Sequence, residues 1–169
     1  MSVREIYLAG GCFWGVEKYM ENVSGVCETE VGYANGNTAN PTYEDVCGAS
    51  GHAEVCRVIY DTVVSGLPFI LRRFFDVIDP VSVNRQGDDK GIQYRTGVYY
   101  TNPMDKPVID EALAALQTEY SEPLAVEALP LLNYTVAEDY HQQYLAKNPG
   151  GYCHISDLEI DEVKQYKDA

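Results

Sequence analysis

The segment from Leu67 to Ile78 most constrains this chain. Leu67, Ile70, Leu71, Phe74, Phe75 and Ile78 recur at the i, i+3, i+4, i+7 spacing of one helix face. A stripe that wide must be buried against a second layer. Asp79-Pro80 ends it, because a residue before proline is pushed out of the helical region. The layer it covers is predicted from its neighbours. Ala53 to Tyr60, rich in Val and Ile, reads as a central strand, Glu5 to Ala9 as a short one, and Val26 to Tyr33 as another closed by Asn35-Gly36.

The other segments fill out the same plan. Phe13, Val16 and Met20 set a first helix starting near Cys12, and Ala39 to Ser50 reads as a loop with a turn at Asn40-Pro41. Asn84 to Ile92 is a polar loop, Gln93 to Tyr100 a strand, and Leu124 to Leu131 a further strand. Between them Asp105 caps a helix with Pro107 in its first turn and Ile109, Ala112, Leu116 and Tyr120 on its inner face. Glu138 to Lys147 is a short helix, and coil follows the Asn148-Pro-Gly-Gly breaker. Strands and helices intermix without a strict βαβ rhythm, so the predicted fold is an α+β two-layer sandwich.

Composition excludes several classes. At 169 residues the chain suits one domain, and no apolar run approaches the ~18 residues of a membrane span. A net charge of −14 would repel nucleic acid and anionic membranes alike. The N-terminus has no basic segment followed by an apolar one, so no signal peptide is read and a cytoplasmic location is expected. Cys12, Cys27, Cys47, Cys56 and Cys153 form no CxxC pair, and His52, His141 and His154 do not join them at zinc-site spacing. No structural metal is expected. The thiols are left as buried apolar residues or as redox and nucleophilic groups.

Cys12 follows two glycines at a helix start. A helix N-terminus offers free N–H groups and partial positive charge, which favour the thiolate. Taken alone, such a cysteine serves equally well as a small buried residue. Phe13 and Trp14, the only tryptophan, stand directly beside it and suit the walls of a pocket for a methyl–sulfur group.

Gly10-Gly11-Cys12-Phe13-Trp14-Gly15 resembles the signature of the peptide methionine sulfoxide reductase A family. Further segments resemble it in the same order. They are Gly32-Tyr33-Ala34, Asn40-Pro41-Thr42-Tyr43, Gly51-His52-Ala53-Glu54-Val55, Gln86 to Arg95, Ala137 to Leu145, and Asn148 to Cys153. The resemblance implies one catalytic domain over residues 1–169. Its mixed, mostly antiparallel sheet would have a ferredoxin-like core, and a long, mobile, coil-like tail (148–169) would carry Cys153.

It also implies site roles. A sulfoxide has an electron-poor sulfur and an oxygen that must be protonated as it departs, so its reduction needs a nucleophile, an acid and donors aimed at the oxygen. The resemblance makes Cys12 the nucleophile and Glu54 the acid, its pKa raised by burial. Tyr43 and Tyr94 would bond the oxygen, and Asp89 would act through an ordered water. Phe13 and Trp14 would hold the substrate methyl, with His141 and Tyr152 lining the site or serving structurally. Cys12 would become a sulfenic acid, and Cys153 would resolve it as a disulfide after the tail swings over the site.

The implied substrate is the S epimer of methionine sulfoxide, free or in oxidised proteins. No resident cofactor is expected. The electrons would come from an external thiol, thioredoxin or dithiothreitol, and the chain would act as a monomer. Cys27, Cys47 and Cys56 read as structural. Some family members carry another cysteine in a glycine-rich tail beyond Cys153. This sequence has none there, so a single Cys12–Cys153 relay is expected. Two alternatives stay open: another thiol chemistry such as a peroxidase or thioltransferase, and a non-catalytic module that binds methionine-containing proteins.

Overall fold

The computed structural model describes residues 2–48 and 50–168. Met1, Ala49 and Ala169 lie outside them, so the expectations for the first residue, one position of the 39–50 loop and the end of the tail do too. In chain order the elements are β1 (Val3–Gly10), α1 (Phe13–Met20), β2 (Val26–Ala34), α2 (Tyr43–Cys47), β3 (Ala53–Asp61), α3 (Leu67–Phe75), β4 (Arg85–Gln86), β5 (Asp89–Lys90), β6 (Thr96–Tyr100), α4 (Asp105–Gln117), β7 (Glu127–Pro130), β8 (Thr135–Val136), α5 (Tyr144–Lys147) and α6 (Asp157–Val163).

The fold is α+β with a mixed sheet. Its strand order is β7-β6-β1-β3-β2-β8, with only the β6–β7 pair parallel. β4 and β5 form a separate small hairpin. Residue alternation divides the sheet into two faces. Ile6, Leu8, Val31, Cys56 and Val58 bury one face against Phe13, Val16, Tyr19 and Met20 of α1 and Ile70, Leu71 and Phe74 of α3. Tyr7, Ala9, Val55 and Tyr99 form a thinner cluster on the other. Two-residue periodicity places Glu54 on the helix-bearing face with Cys56 and Val58, opposite Tyr33 in the β2–β3 register.

Several expectations need correction. The 39–50 loop contains α2, held by a capping box in which Thr42 accepts from Asp45 N–H and the Asp45 side chain accepts from Thr42 N–H. The predicted strand Gln93–Tyr100 starts only at Thr96, after a 3₁₀ turn at Ile92–Tyr94. Asp105 lies inside the first turn of α4 rather than capping it, and Tyr120 is exposed beyond its end. The Glu138–Lys147 helix is broken into a 3₁₀ turn (Asp139–His141) and α5, because Gln143 takes a left-handed conformation with φ +54°.

The largest departure is the tail. Instead of coil, Ser156 opens α6 with a second capping box through Glu159. Ile155, Ile160 and Val163 are buried in the main core. The Ser-x-x-Glu signal is local and strong, but it stands beside the Gly-rich breaker that drew the eye.

Phe74 is fully buried where α3 meets the sheet. Phe74→Ala should cost about 3–5 kcal/mol of unfolding free energy, read by urea denaturation. Ser156→Ala should cost about 1 kcal/mol and raise amide exchange chiefly over residues 157–163.

Candidate active site

β1 ends at Gly10, and the chain must reverse into α1 within two residues. Gly11 makes this possible with φ +90°. Cys12 is then the N-cap residue of α1, and the backbone N–H groups of Trp14 and Gly15 face its sulfur. Phe13 N–H, the next free donor, points at Glu54 and donates to its Oε1 at 3.1 Å. This bond joins the helix start that bears Cys12 to β3. Glu54 is 2% exposed and Cys12 is 7% exposed, so the thiol is recessed without being sealed.

Burial sets both protonation states. The Glu54 pKa is pushed up to about 8, chiefly by burial and further by the charge on Asp89, against the pull of Phe13 N–H. The Cys12 thiol is driven well above the ordinary thiol range, first by burial and then by Glu54 and Asp89. The N–H groups of Trp14 and Gly15 oppose this without overcoming it. The helix start favours the thiolate, as expected, but burial outweighs it and the thiol keeps its proton at rest.

Tyr43 opens α2, and Tyr94 closes the 3₁₀ turn before β6. Both phenols are held above the ordinary range by burial, and both feel the charge of Glu54. Tyr94 also feels Cys12 and Asp89. Each remains a hydrogen-bond donor. Asp89, on β5, is half-buried and accepts from the exposed Tyr152 hydroxyl at 3.1 Å.

His141 is buried among aromatic rings, with Phe13, Tyr43 and Tyr140 centroids 5.1, 4.7 and 4.1 Å away. Trp14 Nε1–H donates to its Nδ1 at 3.0 Å. That fixes the tautomer, because a ring nitrogen that accepts carries no proton. Burial lowers the His141 pKa, so the neutral form holds its proton on Nε2. One face of Trp14 is stacked on Tyr144 at 3.8 Å and 8°. The structure thus gathers Cys12, Phe13, Trp14, Tyr43, Glu54, Asp89, Tyr94, His141 and Tyr152 around one site.

Cys153 packs against α1. A Cβ built on Gly15 would lie 3.2 Å from Cys153 Sγ, so the absence of a side chain at Gly15 makes room for the second sulfur. Gly15 is three residues after Cys12, on the same helix face. Cys56 is fully buried, and Cys27 is exposed. Cys47 is exposed and lies close enough to Tyr43 to perturb its hydroxyl. Among the described residues, no three metal-ligating side chains converge, and no helix is long and apolar enough to cross a membrane.

Three supporting residues were not singled out in the sequence. Arg95 donates to the carbonyls of Asn35, Gly51 and Ile92 at 3.0 Å each and pairs with Glu127 at 2.8 Å. It thereby ties the Tyr94 turn to the segment entering Glu54. Glu138 accepts from Tyr33 hydroxyl at 2.8 Å and Tyr43 N–H at 3.0 Å. Gln86, beneath Gly11, bonds Asp79 through both ends of its amide. All three lie in the family-like segments Gln86 to Arg95 and Ala137 to Leu145, which mark the stretch without assigning each residue its role.

The model of the family described as peptide methionine sulfoxide reductase matches residues 4–168. The chain belongs to this family. A relative from Lachnoclostridium phytofermentans, named peptide methionine sulfoxide reductase MsrA, is 51% identical over 162 residues, covering 95% of this chain and 98% of its own. The structure of Mxr1 from Saccharomyces cerevisiae in reduced form superposes with a TM-score of 0.84 at 35% identity, covering 92% of each chain. Mxr1 in complex with Trx2 matches with a TM-score of 0.59 at 25% identity, covering 85% of each.

The raised Glu54 pKa links to stability. The unfolded chain holds this proton only up to about pH 4.5, the folded chain up to about pH 8. The contribution is therefore complete below pH 4.5 and is lost as pH rises through 8. Glu54→Gln should remove this decline, so its stability relative to the unmutated protein should increase between pH 5 and 8.5 in urea titrations. A constant difference across that range would show that Glu54 is ionised throughout.

Proposed function

We propose that this chain reduces the S epimer of methionine sulfoxide, free or in proteins, through Cys12, and is recycled through a Cys12–Cys153 disulfide by thioredoxin. The observation that carries this reading is a buried carboxyl, protonated up to about pH 8, bonded to the helix start that bears the buried thiol. Such an acid suits delivery of a proton to a departing oxygen at neutral pH.

In this scheme Phe13 and Trp14 pack on the substrate methyl while Tyr43, Tyr94 and Glu54 donate to the sulfoxide oxygen. Asp89 assists by way of a water. His141 braces Trp14, and Tyr152 borders the site through its bond to Asp89. The Cys12 sulfur attacks the substrate sulfur, giving up its proton as Glu54 protonates the oxygen. The oxygen ends on Cys12 as a sulfenic acid and the thioether leaves, with no net change in protons. Cys153 then condenses with Cys12, forming the S–S bond and releasing water.

The docking of Cys153 against Gly15, on the helix that follows Cys12, supports that partner. Cys153 also borders a surface cleft of about 310 Å³ with Lys18, Leu145, Pro149 and Ser156, which suits approach of a thiol reductant apart from the aromatic wall. The Mxr1 complex with Trx2 supports thioredoxin in that role. Dithiothreitol would substitute in vitro. No resident cofactor is needed, and a reducing cytoplasm suits the chemistry. The strand order β6-β1-β3-β2, crossed by α1 and α3, supports a ferredoxin-like core, and we take the active unit to be a monomeric single domain.

The decisive assay offers the two separated sulfoxide epimers, and a hydroperoxide, with dithiothreitol as reductant. Turnover of the S epimer alone is expected. Preferential turnover of the hydroperoxide would replace this reading with a peroxidase. Cys12→Ser should abolish turnover. Glu54→Gln should slow the chemical step by roughly 10²–10⁴-fold. Cys153→Ser should release about one methionine per enzyme and then stall with thioredoxin.

A further inference from the structure

The residue after Cys153 occupies an unusual place. His154 Nε2 lies 2.9 Å from the carbonyl oxygen of Gly10. A carbonyl only accepts, so the neutral ring carries its proton on Nε2 and leaves a bare lone pair on Nδ1. Nδ1 is buried and finds no partner among the described residues. An orphaned buried acceptor costs about 1–3 kcal/mol, a cost that needs an explanation. Its surroundings supply one. A Cβ on Gly15 would meet His154 Nδ1 at 2.9 Å and Cys153 Sγ at 3.2 Å, so lone pair and thiol border the same notch on the helix that carries Cys12.

In the resting structure the Cys153 thiol donates to Ile155 O at 3.1 Å, and burial raises its pKa. A neutral thiol is a poor nucleophile, so condensation with a sulfenic acid needs a nearby base.

Building on the assignment of Cys153 as the resolving thiol, we infer that His154 Nδ1 accepts the Cys153 proton as that thiol turns from Ile155 O toward Cys12. The Cys153–Cys12 S–S bond forms as the Cys12 S–O bond breaks. The oxygen departs with its own hydrogen and the proton relayed from Nδ1, as water. No external oxidant or reductant enters the step. Charged and titratable groups around the notch are Lys18 of α1, Asp89 of β5, and Asp157 and Glu159 of α6.

Single-turnover experiments separate the two half-reactions. Methionine released without reductant reports the first. The lifetime of the sulfenic acid, trapped by dimedone, reports the second. His154→Gln keeps a donor for Gly10 O but lacks a basic nitrogen. The methionine burst is expected to persist while sulfenic acid decay slows by about a hundredfold at pH 7. The decay should also gain a steeper pH dependence, rising toward tenfold per pH unit as bulk hydroxide takes over. In His154→Ala, added imidazole should restore fast decay. Wild-type decay in His154→Gln would overturn the inference. So would a slowing equal at every pH with no imidazole rescue, which marks a packing role. Cys153→Ser is the control on the underlying assignment: decay as fast as wild type there would remove Cys153 itself from resolution.

Discussion

Phe13 N–H and Glu54 Oε1 lie 3.1 Å apart, and much of the site is arranged by this one contact. It satisfies a free donor at the start of α1 with an acceptor on the central strand β3, 41 residues on. It also fixes which carboxyl oxygen is occupied. Strand β3 can hold Glu54 there because two-residue alternation turns it toward the helices, and Arg95 bonds the carbonyl of Gly51 three residues earlier. Glu138 performs the matching task for Tyr43. Polar residues outside the reacting cluster therefore hold those inside it.

The protonation states follow from unequal magnitudes. A helix N-terminus stabilises a nearby anion by about 0.3–2 kcal/mol. Removing an ion from water costs several kcal/mol even after relaxation. At Cys12 the second effect wins, so both Cys12 and Glu54 are neutral at rest. Two adjacent anions would repel in a poorly screened site, and the neutral pair avoids this. In the proposed reaction the thiol becomes a nucleophile only when a substrate oxygen is present to take a proton. A sulfenic acid is thus less readily formed by stray oxidants, which react with thiolates.

Sequence patterns revealed what depends on local spacing. The stripe on α3, the strand β3 and the glycine-flanked start of α1 are all periodic or punctuated signals, and all stand in the structure. What failed involved competition between short signals. Gln143 breaks a predicted helix because its neighbours are drawn elsewhere: its backbone N–H and side chain bond the buried Glu17. The glycines of the tail read as coil, although Ser156 and Glu159 encode a cap. The site residues were legible only through ordered motifs. Fourteen tyrosines look alike in a sequence, and although Tyr144 stands in the Ala137 to Leu145 segment, nothing local shows that it stacks on Trp14. Glu138 and Arg95 escaped for the same reason, since their partners are 95 and 60 residues away.

The aromatic wall and the polar cluster have different energetic tasks. Trp14 is fixed on one side by the Tyr144 stack and at its edge by His141, so its ring is rigid before any ligand arrives. A methyl–sulfur group on such a face gains about 0.3–1.5 kcal/mol per contact. That gain is nearly equal for sulfoxide and thioether, because both carry the methyl. In the proposed reaction it would lower KM without accelerating the chemistry, and it would retain product if it were larger. The oxygen is what distinguishes substrate from product, and in the proposed reaction Glu54, Tyr43 and Tyr94 address it directly, with Asp89 acting through a water. In that scheme their donors gain strength as charge builds on the oxygen, so they would act on the transition state. Loosening Trp14, by removing either Tyr144 or His141, should therefore weaken binding far more than it slows the bond-breaking step. Loss of the Glu54 proton should do the reverse.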